Sequence, residues 1–221
     1  MLSCGDLCKS YPVSGGAVDA VRGVDLDLAQ GEFMAIIGRS GSGKSSLIAM
    51  IGGLSRPDRG RVRMDGVDIW SLGEDKLARL RNSAIGYIFQ FPSLLPTLNA
   101  VDNVALPALL GRRASRPAAY DRAKALLDSV GLAAHLDAYP AEMSAGEQRR
   151  AALARALINA PRLLLADEPT ADLDEQTERE IMAELLRINR AGVALVLVTH
   201  NLALAAGAGR IVQIADGAVV S

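Results

Sequence analysis

The sequence predicts an α/β fold: a parallel sheet covered by helices, with a helical block inserted into it. Three observations carry this reading. The apolar run Phe33-Met34-Ala35-Ile36-Ile37 passes through a glycine-rich loop into a helical stretch that begins at Lys44. Two further runs, Leu163-Leu164-Leu165-Ala166 and Val193 to Val198, are apolar without alternation, as parallel strands covered on both faces should be. From Pro92 to Ala160 alanine and leucine dominate at helical spacing, so a mostly helical lobe interrupts the α/β pattern.

In chain order, Leu2–Lys9, Ala17–Leu28 and Glu32–Ile37 read as strands, followed by a helix to about Gly52. Cys4 and Cys8 fall on or beside the first strand. With neither of the two histidines near them they read as small packing residues, not a zinc or redox pair. Gly60 to Asp65 reads as a strand closed by the Asp65-Gly66 turn. A helix over Glu74–Asn82 and a strand over Ile85–Phe89 come next. The lobe should hold helices near Ala100–Leu110, Arg116–Val130 and Ala145–Ile158. A charged helix, Glu175 to Arg190, separates the two late apolar strands, and Asp216-Gly217 marks a hairpin within Arg210–Val220.

The 221 residues suggest one domain, or a core with a small lobe. A net charge of −1 leaves no basic footprint for nucleic acid. No run approaches the roughly 18 apolar residues that a membrane-crossing helix needs. Met1 to Asp6 lacks a basic stretch leading into an apolar one, so a cytoplasmic protein is expected.

Residues Gly38-Arg39-Ser40-Gly41-Ser42-Gly43-Lys44-Ser45 form a complete phosphate-binding loop, G-x-x-x-x-G-K-[ST], in the strand–loop–helix setting the motif needs. The glycines let backbone wrap an anion, and the helix N-terminus behind them faces the phosphates. Lys44 is placed to reach the β and γ phosphates of a nucleoside triphosphate, and the Ser45 hydroxyl to ligate magnesium. Asp167-Glu168 follows the apolar run from Leu163, at the sheet edge where ligands bind in such folds. There Asp167 can hold magnesium through water, and Glu168 can orient or deprotonate the attacking water. Ser144-Ala145-Gly146-Glu147-Gln148 opens another helix. By itself this is either an anion-receptive N-terminus or simply a capped helix.

Taken together these motifs resemble the nucleotide-binding subunit of ATP-binding-cassette (ABC) transporters, over essentially the whole chain and in the family's order. Tyr11 matches the residue that stacks on adenine, and Gly38 to Ser46 the Walker A loop with the residue that follows it. Gln90 matches the glutamine that senses magnesium and the γ phosphate, and Met143 to Arg150 the signature sequence. Leu163 to Glu168 matches Walker B with its catalytic glutamate, Ala171 to Asp174 the D-loop, and His200 the switch histidine. The resemblance implies a P-loop NTPase (RecA-like) core over 1–91 and 161–221 with an N-terminal antiparallel β subdomain. It implies a helical subdomain over 92–160. It further implies ATP and Mg2+ bound by Ser45, Gln90 and Asp167, hydrolysis by Glu168, His200 and Lys44, and a head-to-tail homodimer. In that dimer Ser144, Gly146 and Glu147 of one chain face the ATP of the other. Met143 and Ala145 depart from the usual Leu-Ser-Gly-Gly signature, and the added methyl of Ala145 is expected to weaken ATP binding across the dimer.

The segment from Phe89 to Val104 resembles the branch of lipoprotein-releasing, macrolide-efflux and cell-division ATPases. The partner implied is an integral-membrane permease on a separate chain, with the ATPase peripheral on the inner face of the membrane. Leu94, Leu95 and Leu98 either floor a groove for a permease helix or fill the core. A soluble ABC ATPase of chromosome type is disfavoured, because only 100 residues separate Lys44 from Ser144 and no heptad run lies between them.

Overall fold

A computed structural model describes residues 1–111 and 114–220. Two sheets organise it. The first is antiparallel, in the order β2-β1-β4-β5, from β1 (Leu2–Val13), β2 (Gly16–Leu28), β4 (Arg59–Met64) and β5 (Val67–Asp68). The second has the order β10-β9-β3-β8-β7-β6, from β3 (Phe33–Ile37), β6 (Ile85–Ile88), β7 (Leu163–Asp167), β8 (Ala194–Thr199), β9 (Arg210–Ala215) and β10 (Ala218–Val219). Its strands β9, β3, β8, β7 and β6 run parallel, and β10 folds back antiparallel at the Asp216-Gly217 turn.

The unbroken apolar runs of the central strands are explained by period-two packing on two cores. Met34, Ile36, Leu163, Leu165, Ala194, Val196 and Val198 enter one core with α1 (Lys44–Ile51) and the antiparallel sheet. Their neighbours Phe33, Leu164, Ala166, Leu195 and Leu197 enter a second core with the helical block. Successive side chains point to opposite faces, so a strand covered twice has no position left for a polar residue.

The second core is built from α3 (Ala100–Leu110), α4 (Arg116–Ser129), α5 (Ala145–Leu157) and α6 (Glu175–Arg190). On α6, Ile181, Leu185 and Ile188 form the buried stripe that helical spacing predicts. Each such side chain contributes about 1.5–3 kcal/mol when fully buried. Helices α2 (Glu74–Ala84) and α7 (Leu202–Ala205) and the single 3-10 turns Ile69–Ser71, Ala133–His135 and Pro140–Glu142 complete the described elements. The sequence reading ends β1 four residues early and leaves β5 and α7 unassigned. These pieces are too short, or too polar along an edge, for periodicity to register.

Cys4 and Cys8 are both free. Burial, with Asp27 and Asp25 nearby, pushes the Cys4 thiol up to about 12, so it is an inert packing residue. Cys8 is half-buried and accepts a hydrogen bond from the Gly23 N–H.

Candidate active site

Four segments leave the parallel strands at the same edge of the sheet. The glycine-rich loop follows β3, Phe89-Gln90 follows β6, Glu168 follows β7 and His200 follows β8. The register aligns their ends, with Ile37 opposite Thr199, Asp167 opposite Val198 and Ile88 opposite Ala166. Residues distant in sequence therefore converge on one cavity of about 520 Å³, lined by Ala20, Arg39 to Ser46, Gln90, Glu168, Ala171 and His200. That is within the ordinary range for a ligand pocket.

The loop is shaped for an anion. Helix α1 starts at Gly43 with no side-chain cap and no acidic residue in its first turn, so its leading N–H groups are free to face phosphate. Lys44 is buried, and its Nζ donates to the carbonyls of Gly38 and Arg39 at 2.9 Å each, leaving one N–H to point elsewhere. The buried Ser42 hydroxyl has no partner among the described residues, another polar group that a bound phosphate would satisfy. Gly43 holds φ at 100°, and a Cβ there would meet the Ala20 carbonyl oxygen at 2.0 Å. Gly43→Ala is therefore expected to cost at least about 2 kcal/mol, because left-handed strain alone is about 1–3 kcal/mol for a residue with a side chain. Urea unfolding checks this, and an unchanged midpoint would show that β2 yields freely.

The acidic pair divides into two environments. Burial lifts the Asp167 carboxyl above its ordinary range; the Ser45 hydroxyl opposes this, Glu168 adds to it and Lys44 opposes it. Ser45 Oγ donates to Asp167 Oδ1 at 3.3 Å. This hydroxyl and carboxylate beside the loop, with Gln90 on the same cavity, form an all-oxygen set suited to a hard cation that keeps waters and shares phosphate oxygens. Magnesium fits such a set. Among the described residues no cluster of three or more His, Cys, Asp or Glu could hold a metal by itself.

Glu168 sits at φ 46°, a left-handed conformation for a residue with a side chain and a strain that clusters at functional sites. Its N–H donates to the Val198 carbonyl at 2.9 Å. Its Oε1 lies 3.0 Å from His200 Nδ1. The carboxylate side chain is 15% exposed and the imidazole 71% exposed, so the pair presents a carboxylate at the cavity wall with an exposed imidazole over it.

Not every anticipated residue reaches this cavity. Tyr11 lies on β1 opposite Val18, half in solvent, with Lys9 Nζ 5.6 Å from its ring centre; Ala20, farther along β2, lines the cavity instead. Ser144, Gly146 and Glu147 open α5 outside the cavity lining. There Glu147 accepts from the Ser144 N–H at 2.7 Å and the Ser144 hydroxyl at 2.9 Å, with His135 Nε2 3.3 Å from its other oxygen. The Ser144 N–H first, then its hydroxyl, hold the Glu147 carboxyl below its usual range, with help from His135 and Arg150. Ala145 is exposed and its methyl faces solvent. Asp174 caps α6 through the N–H groups of Gln176 and Thr177. Leu94 packs inward on the helical core, while Leu95 is 44% exposed.

Several polar residues of consequence gave no signal in the sequence. Asn103, almost fully buried, accepts from the Leu95 N–H and donates to the carbonyls of Leu95, Leu98 and Asn99. Arg155 donates to Ser93 and Pro92 carbonyls at 2.7 and 2.9 Å. A helical arginine or asparagine looks solvent-facing until the loop that it holds is in place.

A phosphate loop, an acidic pair and a histidine gathered at the carboxyl edge of a parallel sheet define a phosphate-loop nucleoside triphosphatase. A family model for the ABC transporter matches residues 21–171, and the chain belongs to that family as an ATP-binding, ATP-hydrolysing subunit. It is 47% identical to the lipoprotein-releasing system ATP-binding protein LolD of Geobacter metallireducens, across 100% of this chain and 98% of that protein. It is 44% identical to the macrolide export ATP-binding/permease protein MacB of Syntrophobacter fumaroxidans, across 97% of this chain but only 30% of that longer protein. Among solved structures, the dimeric post-hydrolysis state of the ATP-binding cassette MJ0796 bound to ADP and Pi superposes with a TM-score of 0.94. It is 36% identical and covers 100% of this chain and 97% of that one.

Proposed function

We propose that two copies of this chain clamp two ATP molecules head to tail and drive a separate membrane permease for export or for mechanical work on the outer side of the membrane. The observation that supports this most is the half-built site. One chain gathers the phosphate loop, Gln90, Glu168 and His200 around a cavity, while Ser144 and Gly146 lie outside its lining at the start of α5. A second copy supplying that end completes the enclosure, as the dimeric MJ0796 cassette makes reasonable for a relative.

In this reading Lys44 and the α1 N-terminus hold the phosphates, and Glu168 takes the proton of the attacking water. His200 contacts the γ phosphate and keeps Glu168 oriented. Ser45, Gln90 and Asp167 would hold magnesium, which would supply positive charge against the phosphates. Ser144 must release its hydroxyl from Glu147 to engage the partner's γ phosphate. Tyr11 stacks on adenine once the nucleotide draws β1 toward it. Lobe 92–160 and core 1–91 with 161–221 are taken as the two bodies that close and open.

Among the described residues no helix is long and apolar enough to cross a membrane. Phe91 is 67% exposed and Leu110 73% exposed. Close to them a cavity of about 230 Å³ is lined by Tyr87, Phe89, Ser93, Pro107 and Arg155, with Tyr87 and Phe89 stacked at 4.2 Å between centres. This is the seat for a cytoplasmic helix of the permease, which would place the ATPase on the inner face of the membrane. Leu110→Asp, at the exposed apolar rim of this seat, should abolish co-purification with the permease while the chain alone hydrolyses ATP at its usual rate. Equal recovery of the complex would move the docking site elsewhere. Similarity to a lipoprotein-releasing ATP-binding protein and to a macrolide export ATP-binding/permease protein favours that branch, for which the expected partner is a permease with few spans and a large outer domain. Purification from solubilised membranes with ATP and magnesium, followed by mass spectrometry, tests this. A many-span permease overturns the branch, and recovery of soluble proteins alone overturns the transport reading.

A further inference from the structure

Arg149, in the second turn of α5, is 5% exposed yet lines no part of the nucleotide cavity. Its guanidinium grips two loops that do. Nη1 donates to the carbonyls of Phe89, at 3.0 Å, and Gln90, and Nη2 donates to the carbonyl of Ala171 at 3.2 Å. Gln90 and Ala171 both line the cavity. The Ala171 N–H in turn donates to the Glu168 carbonyl at 3.1 Å, and Glu168 meets His200. An unbroken series of bonds therefore runs from the signature helix, behind the cavity wall, to the carboxylate inside it.

We propose that Arg149 is a positioning residue: from the signature helix it sets where Gln90 and the loop after Glu168 stand relative to the bound nucleotide. Among the described residues no carboxylate lies within ion-pair distance of it, so its compensation comes from backbone carbonyl dipoles, with the more distant charge of Asp172 adding to them. A buried cation that loses its partners is costly, and the two loops therefore follow the guanidinium when α5 shifts. Planar, forked donors make this possible: arginine reaches separate carbonyls from two nitrogens, whereas a lysine is a single point. Arg155 repeats the grip farther along α5 on the Pro92 and Ser93 carbonyls, so one helix holds the whole 89–93 segment. A partner's ATP that seats on the Ser144 end of α5 thereby moves Gln90 and Ala171 of the opposite site. This inference rests on the catalytic reading of the cavity given above.

The test uses the full chain with Arg149→Met and Arg149→Lys. Arg149→Met should lower kcat by about 10- to 100-fold, as expected for a group that acts by holding others in place. ADP affinity without magnesium, which depends on the phosphate loop and not on Gln90, should change by less than about twofold. Arg149→Lys should recover part of the lost kcat. An unchanged kcat in Arg149→Met overturns the proposal, as does a parallel loss of ADP affinity, which would mean a general structural role. If Arg149→Met does not fold, Arg149→Lys in a Gln90→Ala background decides. Positioning through Gln90 makes the two losses in kcat less than multiplicative, and full multiplicativity overturns it. A failure of the catalytic reading itself shows separately, as Glu168→Gln protein that hydrolyses ATP at the wild-type rate.

Discussion

Replacing Glu168 with glutamine should lower ATP turnover by at least about 100-fold, the low end of what a general base contributes, while ATP still binds. The side chains are nearly isosteric, so the left-handed backbone at φ 46° and the bond from the Glu168 N–H to Val198 are kept. What is lost is the basic oxygen 3.0 Å from His200. Phosphate contacts made by Lys44 and the α1 N-terminus do not involve that oxygen. With magnesium and ATP the variant should accumulate as a dimer, because the nucleotide that bridges the two copies is no longer consumed. Size-exclusion chromatography with light scattering and a phosphate-release assay measure both effects. Wild-type hydrolysis would remove Glu168 from the mechanism, and a monomer at saturating ATP would remove the clamp.

Lys44→Ala should weaken nucleotide binding by about 10- to 150-fold, since a hydrogen bond to a charged group is worth about 1.5–3 kcal/mol. The geometry supports a large effect. Lys44 is 6% exposed, and two of its three N–H groups are held by the Gly38 and Arg39 carbonyls. The ammonium is thus oriented before the ligand arrives, and little entropy is lost on binding. Calorimetric titration with ATP checks the prediction. Unchanged affinity would place the nucleotide outside the loop altogether.

Much of this site is legible without coordinates because its parts are local. The phosphate loop is eight consecutive residues whose glycines, lysine and serine act through backbone shape and a helix end. Asp167 and Glu168 follow a strand that announces itself by an uninterrupted apolar run, and a strand in a parallel sheet delivers whatever follows it to the ligand edge. Ser144 is recognisable as a helix start from the Ser-Ala-Gly-Glu order, which the structure realises as a reciprocal cap with Glu147. The edges of elements are less legible. The four extra residues of β1 pair with β2 down to Val13 opposite Gly16, and pairing partners are not encoded in local alternation.

Adjacency alone therefore determined the nature of this protein: a phosphate loop between strand and helix, an acidic pair after a buried strand, and a capped helix opening with serine. Only the tertiary structure decided how these pieces act together. Sheet order and register bring Ser45 within 3.3 Å of Asp167 across 122 residues and Glu168 within 3.0 Å of His200 across 32. Packing alone shows that Arg149 and Arg155 reach backbone carbonyls of distant loops. The physical reason is the range of the forces. Turn geometry, capping and strand periodicity act over a few residues and are written in order along the chain. The partner of a buried cation is chosen by which surfaces the hydrophobic cores bring together, and that is a property of the whole fold.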